Sequence, residues 1–365
     1  MKSKYKRLGQ YIRQVDVRNT EGKEENLLGV SVQKKFIPSI ANTVGTDFTK
    51  YKVVKKGQFT YIPDTSRRGD KIGIALLEDY EEGLVSNVYT VFEVIDEKQL
   101  IPQYLMLWFS RPEFDRFARF KSHGSVREVM DWDEMCNVEL PVPTYEEQLQ
   151  IVENYKTITD RIALKQQIND NLQQQAFLLY KSLIDGLEKN AVLSDIANIT
   201  MGTSPDGNSL NSDRNGIVFY QGKTDFSFRF PNVRQYTTEP KRYAKPKDIL
   251  MSVRAPVGPV NIATERCAIG RGLAALCPKD ENYSFLYYTM LELDFELNKF
   301  NDEGTVFGSI TKDDLHNLPI VDVALNEKAN FNQKATLIDK LISNNESEIS
   351  NLQELKSLLL SKLTN

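Results

Sequence analysis

The stretch EEQLQIVENYKTITDRIALKQQINDNLQQQAFLLYKSLIDGLE, Glu146–Glu188, decides how this chain folds. Ile151, Tyr155, Ile158, Ile162, Lys165, Asn169, Leu172, Ala176, Leu179 and Leu183 follow one another at alternating steps of four and three. That heptad spacing keeps one narrow stripe of a helix turned toward a partner helix. Nothing breaks the helix before Gly186, so the segment predicts a rod of roughly 60 Å at 1.5 Å per residue. So long a rod with so narrow an apolar stripe needs something to lie against.

The partner is in the same chain. Phe331, Ala335, Ile338, Ile342, Asn345, Ile349, Leu352, Lys356, Leu359 and Leu363 repeat the seam at a constant offset of 180 residues. The offset persists upstream: Gly124-Ser125-Val126 matches Gly304-Thr305-Val306, Asp133 matches Asp313, and Asn137 matches Asn317. The chain therefore reads as a tandem duplication in which a variable domain is followed by a long helix. The divisions expected are 1–145 for the first domain and 146–190 for its helix, then 191–323 and 324–365 for the second pair. The fold class expected is α+β: two tandem mixed α/β domains, with their helices paired as an antiparallel coiled coil of pseudo-twofold symmetry. Lys165, Asn169, Asn345 and Lys356 interrupt the seam with polar groups, and buried amides there would fix register and pairing direction.

Outward from the rods, each copy follows one plan. In the first, Leu27–Val32, Tyr51–Val54, Phe59–Ile62, Ile72–Leu77 and Val88–Ile95 read as strands. A helix starting at Pro102 carries Tyr104, Leu105, Leu107, Trp108 and Phe109 around most of its surface, which predicts burial. Asp131 caps a short helical turn, and Thr144 with Glu147 forms a capping box at the start of the rod. In the second copy, Ile217–Gln221, Ile249–Val253, Val260–Ala263 and Ala274–Cys277 read as strands and Ser284–Phe295 as the packing helix. The two domain interiors share this layout but little sequence.

Composition narrows the function classes. The net charge is −4 over 365 residues. It is spread as +1 on 1–145, −2 on 146–190, −3 on 191–323 and 0 on 324–365. Nucleic-acid binding would thus rest on local basic loops and not on a global positive field. Cys136, Cys267 and Cys277 show no paired spacing, and His123 and His316 lie far apart, which argues against disulfides and against zinc. No apolar run approaches the ~18–20 residues needed to cross a bilayer. A cytoplasmic, non-membrane protein is expected.

Catalytic motifs do not survive inspection. Gly222-Lys223-Thr224 lacks a correctly spaced glycine for a phosphate-binding loop, since Gly216 stands one residue too far away. Gly270-Arg271-Gly272-Leu273-Ala274-Ala275 fits a relaxed dinucleotide pattern, but Leu276-Cys277-Pro278 follows where a helix would have to begin. Asp131, Asp133, Asp313 and Asp314 stand before helical turns and read as caps.

What remains is a set of loops where cations stand among aromatics, glycines and amides. In the first domain these offer Lys34, Lys35, Lys50, Lys52, Arg67, Arg68 and Lys71. In the second they offer Gln221, Lys223, Arg229, Arg234, Lys241, Arg242, Arg254 and Arg271. Arg and Lys reach phosphates or the guanine edge, and Gln pairs with adenine. Any one of them could equally be a solvated surface residue.

The whole chain resembles the specificity subunits of type I restriction–modification systems. Leu140-Pro141-Val142-Pro143 followed by Glu147-Gln148 and Ile151 is similar to that family's lead into its first conserved helix. The second copy departs from it, with Glu327-Lys328 after Pro319-Ile320-Val321. Gln221-Gly222-Lys223-Thr224-Asp225-Phe226, Ser252-Val253-Arg254-Ala255-Pro256-Val257-Gly258 and Ile269-Gly270-Arg271-Gly272-Leu273 resemble one class of target recognition domain. Lys50-Tyr51-Lys52-Val53-Val54, Gly57-Gln58-Phe59 and Ser66-Arg67 resemble another.

The resemblance implies a non-catalytic subunit whose two domains each read one half of a split, asymmetric target in double-stranded DNA. The paired helices would set the spacing and dock two modification subunits, which supply S-adenosylmethionine and methylate adenine. Two restriction subunits would add ATP- and Mg-dependent translocation and cleavage. This chain itself would bind no cofactor. The rival readings are a coiled-coil scaffold that does not bind DNA and a fused enzyme.

Overall fold

A computed structural model describes residues 5–40, 43, 45–64, 71–122, 128–302 and 308–364. It contains the two rods, Tyr145–Ile184 and Leu325–Ser361. The chain divides into two compact units, 1–164 with 349–365, and 165–348. Each unit holds one variable domain, one end of its own rod and the opposite end of the other.

In the first unit a four-stranded antiparallel sheet runs Ile12–Val15, Thr90–Val94, Phe59–Tyr61, Ile74–Leu76. Alternation sends Phe59, Tyr61 and Phe92 inward, where Phe59 and Phe92 stack at 4.8 Å and Phe109 of the helix Pro102–Phe109 meets both rings edge-on. Pro102 stands at the first turn of that helix, where a missing N–H costs nothing. Leu363, in the short 3-10 turn Lys362–Thr364 that follows the second rod, is buried in this same core. Lys356 Nζ lies 5.2 Å from the ring of Tyr155.

The second unit carries two sheets. One is antiparallel: Ala197–Met201, Leu273–Pro278, Ile249–Val253, Val257–Ile262. The other runs Leu210–Asn211, Gln235–Thr237, Ile217–Tyr220, Cys267–Ile269, Tyr243–Ala244, with Ile217–Tyr220 and Cys267–Ile269 parallel. The helix Tyr283–Glu292 packs against the rods through Phe285, with Tyr180 at 5.5 Å and Phe331 at 6.4 Å between ring centroids.

The rods are antiparallel. Within the second unit Asn345 meets Asn169, and Phe331 meets Tyr180 at 5.8 Å. Advancing along one helix therefore means retreating along the other. The interrupting polar residues join across the seam: Lys165 Nζ donates to Asn345 Oδ1 at 2.8 Å, Asn345 Nδ2 to Asn169 Oδ1 at 2.8 Å, and Asn169 Nδ2 to Glu346 Oε1 at 2.7 Å. Glu348 completes the layer at 2.8 Å from Lys165. A slip of one heptad would face Asn169 with Ile338 or Leu352 and leave a buried amide unpaired, at about 1–3 kcal/mol. The layer therefore sets register.

Of the seam positions, Ile162, Phe331, Ile342, Ile349 and Leu363 are buried. Ile151, Tyr155, Ile158, Leu172, Leu183, Ile338, Leu352 and Leu359 are half-buried. Leu179 is not in the seam: it is 41% exposed, and Tyr180 takes its place at 1%. A straight helix gains about 20° per heptad on a strict 3.5-residue repeat, so the stripe drifts by one position toward the domain core. There the Tyr180 hydroxyl donates to Thr289 Oγ1 at 3.1 Å.

The helix starts explain the departure at Lys328. Thr144 and Glu147 exchange capping bonds as the spacing predicts, with Glu147 Oε2 accepting from Thr144 N at 2.9 Å. Glu327 does the same for Ala324 N at 3.2 Å. One residue on, Gln148 is buried and binds Ile101 N, Gln99 O and Pro143 O. Its counterpart Lys328 is equally buried, but its ammonium sits 3.1 Å from Asp280 and 2.6 Å from Asp322. Two carboxylates replace the amide partners, so the helix starts at the equivalent place.

Each domain is closed at its foot. Tyr5–Arg7 pairs antiparallel with Glu139–Pro141, and Ala191–Val192 with Pro319–Ile320. Asp131 and Thr311 cap the short helices Trp132–Cys136 and Lys312–His316. In the second copy the cap is thus Thr311, while Asp314 accepts the threonine hydroxyl at 2.6 Å.

Candidate nucleic-acid interface

The second unit gathers predicted residues from three separate loops. The strand Ile217–Tyr220 ends at Gln221, and a tight turn, Lys223–Asp225, follows. Asp225 is buried and its carboxylate accepts from Gln221 N at 2.7 Å and Gly222 N at 3.3 Å, which fixes the turn from below and leaves Lys223 outside. The segment Gly270–Gly272 lies directly against it. A Cβ on Gly272 would stand 2.5 Å from the backbone oxygen of Gln221, so only glycine allows this approach there, and one on Gly270 would displace the Gln221 side chain, 2.7 Å away at Oε1. Ser204 ties the two loops, accepting from Arg271 N at 3.2 Å and lying 3.4 Å from Gln221 Oε1. The third loop leaves the strand Ile249–Val253 at Arg254, and Ser252 Oγ donates to Pro256 O at 2.7 Å across its bend.

Together Gln221, Gly222, Lys223, Thr224, Arg254, Ala255, Arg271 and Gly272 line an open concavity of about 460 Å³. Three cations and an amide face it, and no carboxylate lines it. Among the described residues, none of Lys223, Arg254 and Arg271 makes an ion pair. Exposed cations with no ion pair among the described residues, held on loops tied down by Asp225 and Ser204, suit a polyanion with readable edges.

Other candidates fall elsewhere. Arg234 sits at the rim, bonding Thr224 O at 3.1 Å and standing 3.6 Å from Asp225. Lys241 and Arg242 are exposed beside the edge strand Tyr243–Ala244. In the first unit Lys35, Lys50 and Lys71 are exposed, Lys50 with Asp47 at 3.4 Å. Arg67 and Arg68 lie outside the described residues.

Three predicted contacts are corrected. Lys34 is packed in, with its ammonium 2.5 Å from Asp115 and bonded to Ile72 O, and burial lowers its pKa against the pull of Asp115. Lys52 points inward and donates to Tyr89 O at 2.7 Å; burial lowers its pKa too. Arg229 is 0% exposed. Its guanidinium bonds Asp339 at 2.7 Å on one rod, Gln173 at 3.3 Å on the other, and Tyr288 at 3.3 Å, and it lies 4.2 Å from the Tyr287 ring centroid. Burial opposes that charge, but Tyr287, Tyr288 and Asp339 hold it firmly ionised. None of the three can reach DNA: they are structural ties, and Arg229 seats the domain on both rods. All three stand among aromatics in the sequence, which is also what a cation clamped in a core looks like.

One cation was missed. Arg266 is exposed and lies 4.1 Å from the Tyr243 ring centroid. Its sequence context, Thr264-Glu265-Arg266-Cys267, carries no glycine or amide signal. Among the described residues, no group of three or more His, Cys, Asp or Glu could hold a metal ion. No described helix is long and apolar enough to cross a membrane.

Residues 6–174 and 189–357 each match the type I restriction modification DNA specificity domain. The chain belongs to that family. Its role is that of a DNA sequence-recognition subunit, and the scaffold reading is not favoured. The chain is 26% identical over 341 residues to the specificity subunit assigned to the MjaX type I restriction enzyme of Methanocaldococcus jannaschii, covering 87% of this chain and 79% of the relative. The crystal structure of a type I restriction–modification S subunit from M. genitalium shares the fold, with a TM-score of 0.61 at 14% identity over 99% of this chain and 96% of that one. The HsdS subunit from Thermoanaerobacter tengcongensis aligns over 99% and 96% at 25% identity, with a TM-score of 0.40. The specificity domains of this chain thus each take in most of one rod.

Proposed function

We propose that the two domains read the two halves of a split, asymmetric target in double-stranded DNA, and that the concavity of the second domain is its reading site. The observation that carries this is the set of three exposed cations, Lys223, Arg254 and Arg271, which make no ion pair among the described residues and are held with Gln221 on glycine-tight loops. An arginine forking onto guanine and a glutamine onto adenine would each discriminate by about 1–3 kcal/mol. The rods set the spacing between halves: 40 residues of helix span about 60 Å, against about 34 Å for a turn of DNA. The chain is non-catalytic. It binds no cofactor and docks two modification subunits, which supply S-adenosylmethionine and methylate adenine. Two restriction subunits, using ATP and Mg, complete the nuclease.

The test is a map of methylated adenines in cells with and without this gene, the modification partner being present in both. A two-part asymmetric motif should disappear with the gene. Replacing residues 191–323 with a foreign recognition domain should then alter one half of that motif only, and a change in both halves would refute modular reading.

A further inference from the structure

We infer that the second domain grips DNA at a second place, a cationic shelf formed by Arg266 stacked on Tyr243, at the sheet edge that also carries the exposed Lys241 and Arg242, which binds phosphates and carries no sequence information. The inference rests on the proposed reading of the concavity and adds a contact of a different kind.

The shelf is built by strand pairing. Tyr243 lies opposite Ala268, so Arg266, two residues earlier, emerges on the same face as the diagonal neighbour of Tyr243. The ring then supports the guanidinium from below at 4.1 Å. Arg242 stands next along the same edge, its carbonyl accepting from Ile269 N at 3.0 Å, and Lys241 precedes it. Glu265 and Glu239 are nearby in sequence, but among the described residues no carboxylate pairs with Lys241, Arg242 or Arg266. This contrasts with the ties at Lys34 and Arg229, where a half-buried carboxylate faces each cation.

Position separates the shelf from the concavity. Both belong to the strand Cys267–Ile269: Arg266 precedes it and Arg271 follows it. The five steps from Arg266 to Arg271, three residues of strand and a turn, span at most roughly 16 Å. That is the rise of about five base pairs at 3.4 Å per step. A phosphate on the shelf would thus sit a few base pairs from the base that is read. A stacked guanidinium with both edges free suits phosphate oxygens.

The test uses the chain assembled with its modification subunits. Anisotropy of a labelled duplex gives Kd at about 50 and about 200 mM salt, on the mapped target and on a scrambled duplex. Losing one phosphate contact lowers the salt slope by about 0.9, so the advantage of wild type over Arg266→Ala should shrink roughly threefold across that range. The advantage should be equal on both duplexes. Tyr243→Leu should move in the same direction and Tyr243→Phe should not, because phenylalanine keeps the platform. Arg271→Ala should instead lose affinity on the target alone. An unchanged slope for Arg266→Ala, or a loss confined to the target, would overturn the shelf. Failure of the wild-type complex to prefer its target would overturn the reading site instead, whatever Arg266 does.

Discussion

Arg229→Ala is the sharpest test of how the second domain is held. The side chain is 0% exposed and its charge is met by Asp339, whose side chain is 21% exposed. Removing one partner of a buried ion pair costs about 3–5 kcal/mol, because the other charge is left unpaired. Here water can reach part of Asp339, and Ser284 Oγ and Tyr288 still donate to it, so the lower end, about 3 kcal/mol, is expected. In a unit of this size that corresponds to a fall in Tm of about 6–12 °C. Arg229→Met with Asp339→Leu should recover much of the loss, since neither charge then remains, and the cycle should report a coupling of about 0.5–3 kcal/mol. Calorimetry gives the Tm, and hydrogen exchange should place the weakening in residues 165–348. The methylated motif should be unchanged in cells grown cool enough to keep the variant folded. A variant with wild-type stability and an altered second half-site would falsify the structural role and return Arg229 to the DNA contacts.

Four further outcomes follow from the same structure. Arg254→Ala should weaken binding by about 1–3 kcal/mol at one base position if it reads a base, measured by competition among single-substituted duplexes; equal loss on every duplex means phosphate. Asn345→Leu leaves Asn169 Oδ1 without its donor, while Lys165 keeps Glu348, and should cost about 1–3 kcal/mol, whereas adding Asn169→Leu should recover part of that loss while admitting slipped registers, detectable by cysteine cross-linking along the seam. Lys328→Gln leaves Asp280 and Asp322 facing each other without a cation and should destabilise by about 1–3 kcal/mol in urea, although glutamine is what the first copy uses at this place. Burial raises the pKa of Glu346 above its ordinary 4.5, against the bond from Asn169. The folded chain then holds that proton more tightly than the unfolded chain, so this residue's contribution to stability is greatest below pH 4.5 and falls as pH rises through the folded value. Glu346→Gln should flatten that part of the stability–pH curve, and an unaltered curve would sink the assignment.

The rods and their pairing were legible because a heptad is written in consecutive residues and the copy 180 positions later repeats it. The polar layer was legible too, since Lys165, Asn169 and Asn345 stand at seam positions. Leu179 was misplaced because a strict repeat ignores the slow drift of a straight helix. The strand Glu82–Val85 was missed because Gly83 reads as a turn, while in the fold a Cβ there would meet Leu28 at 2.5 Å. The strand Cys267–Ile269 is too short, at three residues, to show alternation. At the candidate site, the glycine-flanked Arg271 and the loop at Gln221, offered by the sequence as separate loops, converge through the parallel pairing of the strands that lead into them. Lys34, Lys52 and Arg229 were misread because their partners, Asp115, Tyr89 and Asp339, lie 81, 37 and 110 residues away. Sequence proximity to aromatics and glycines cannot distinguish a cation aimed at solvent from one aimed at a distant carboxylate.

The pairing of Ala191–Val192 with Pro319–Ile320 places the entrance and exit of the second domain side by side. Everything between them is a closed excursion from the rods, begun and ended at one doorway. Genetically, that makes it a cassette: a crossover near codon 190 and another near codon 321 would install a new target in one event while leaving the rods intact. The doorway does not admit every guest, however. A newcomer must bring a cation to meet Asp339 and an acid to meet Lys328, and the first domain, which meets Gln148 at the equivalent place, uses a different lock. Exchange should therefore run most freely between second domains of different strains, and inheritance of new specificities should follow the seat as well as the sequence it reads.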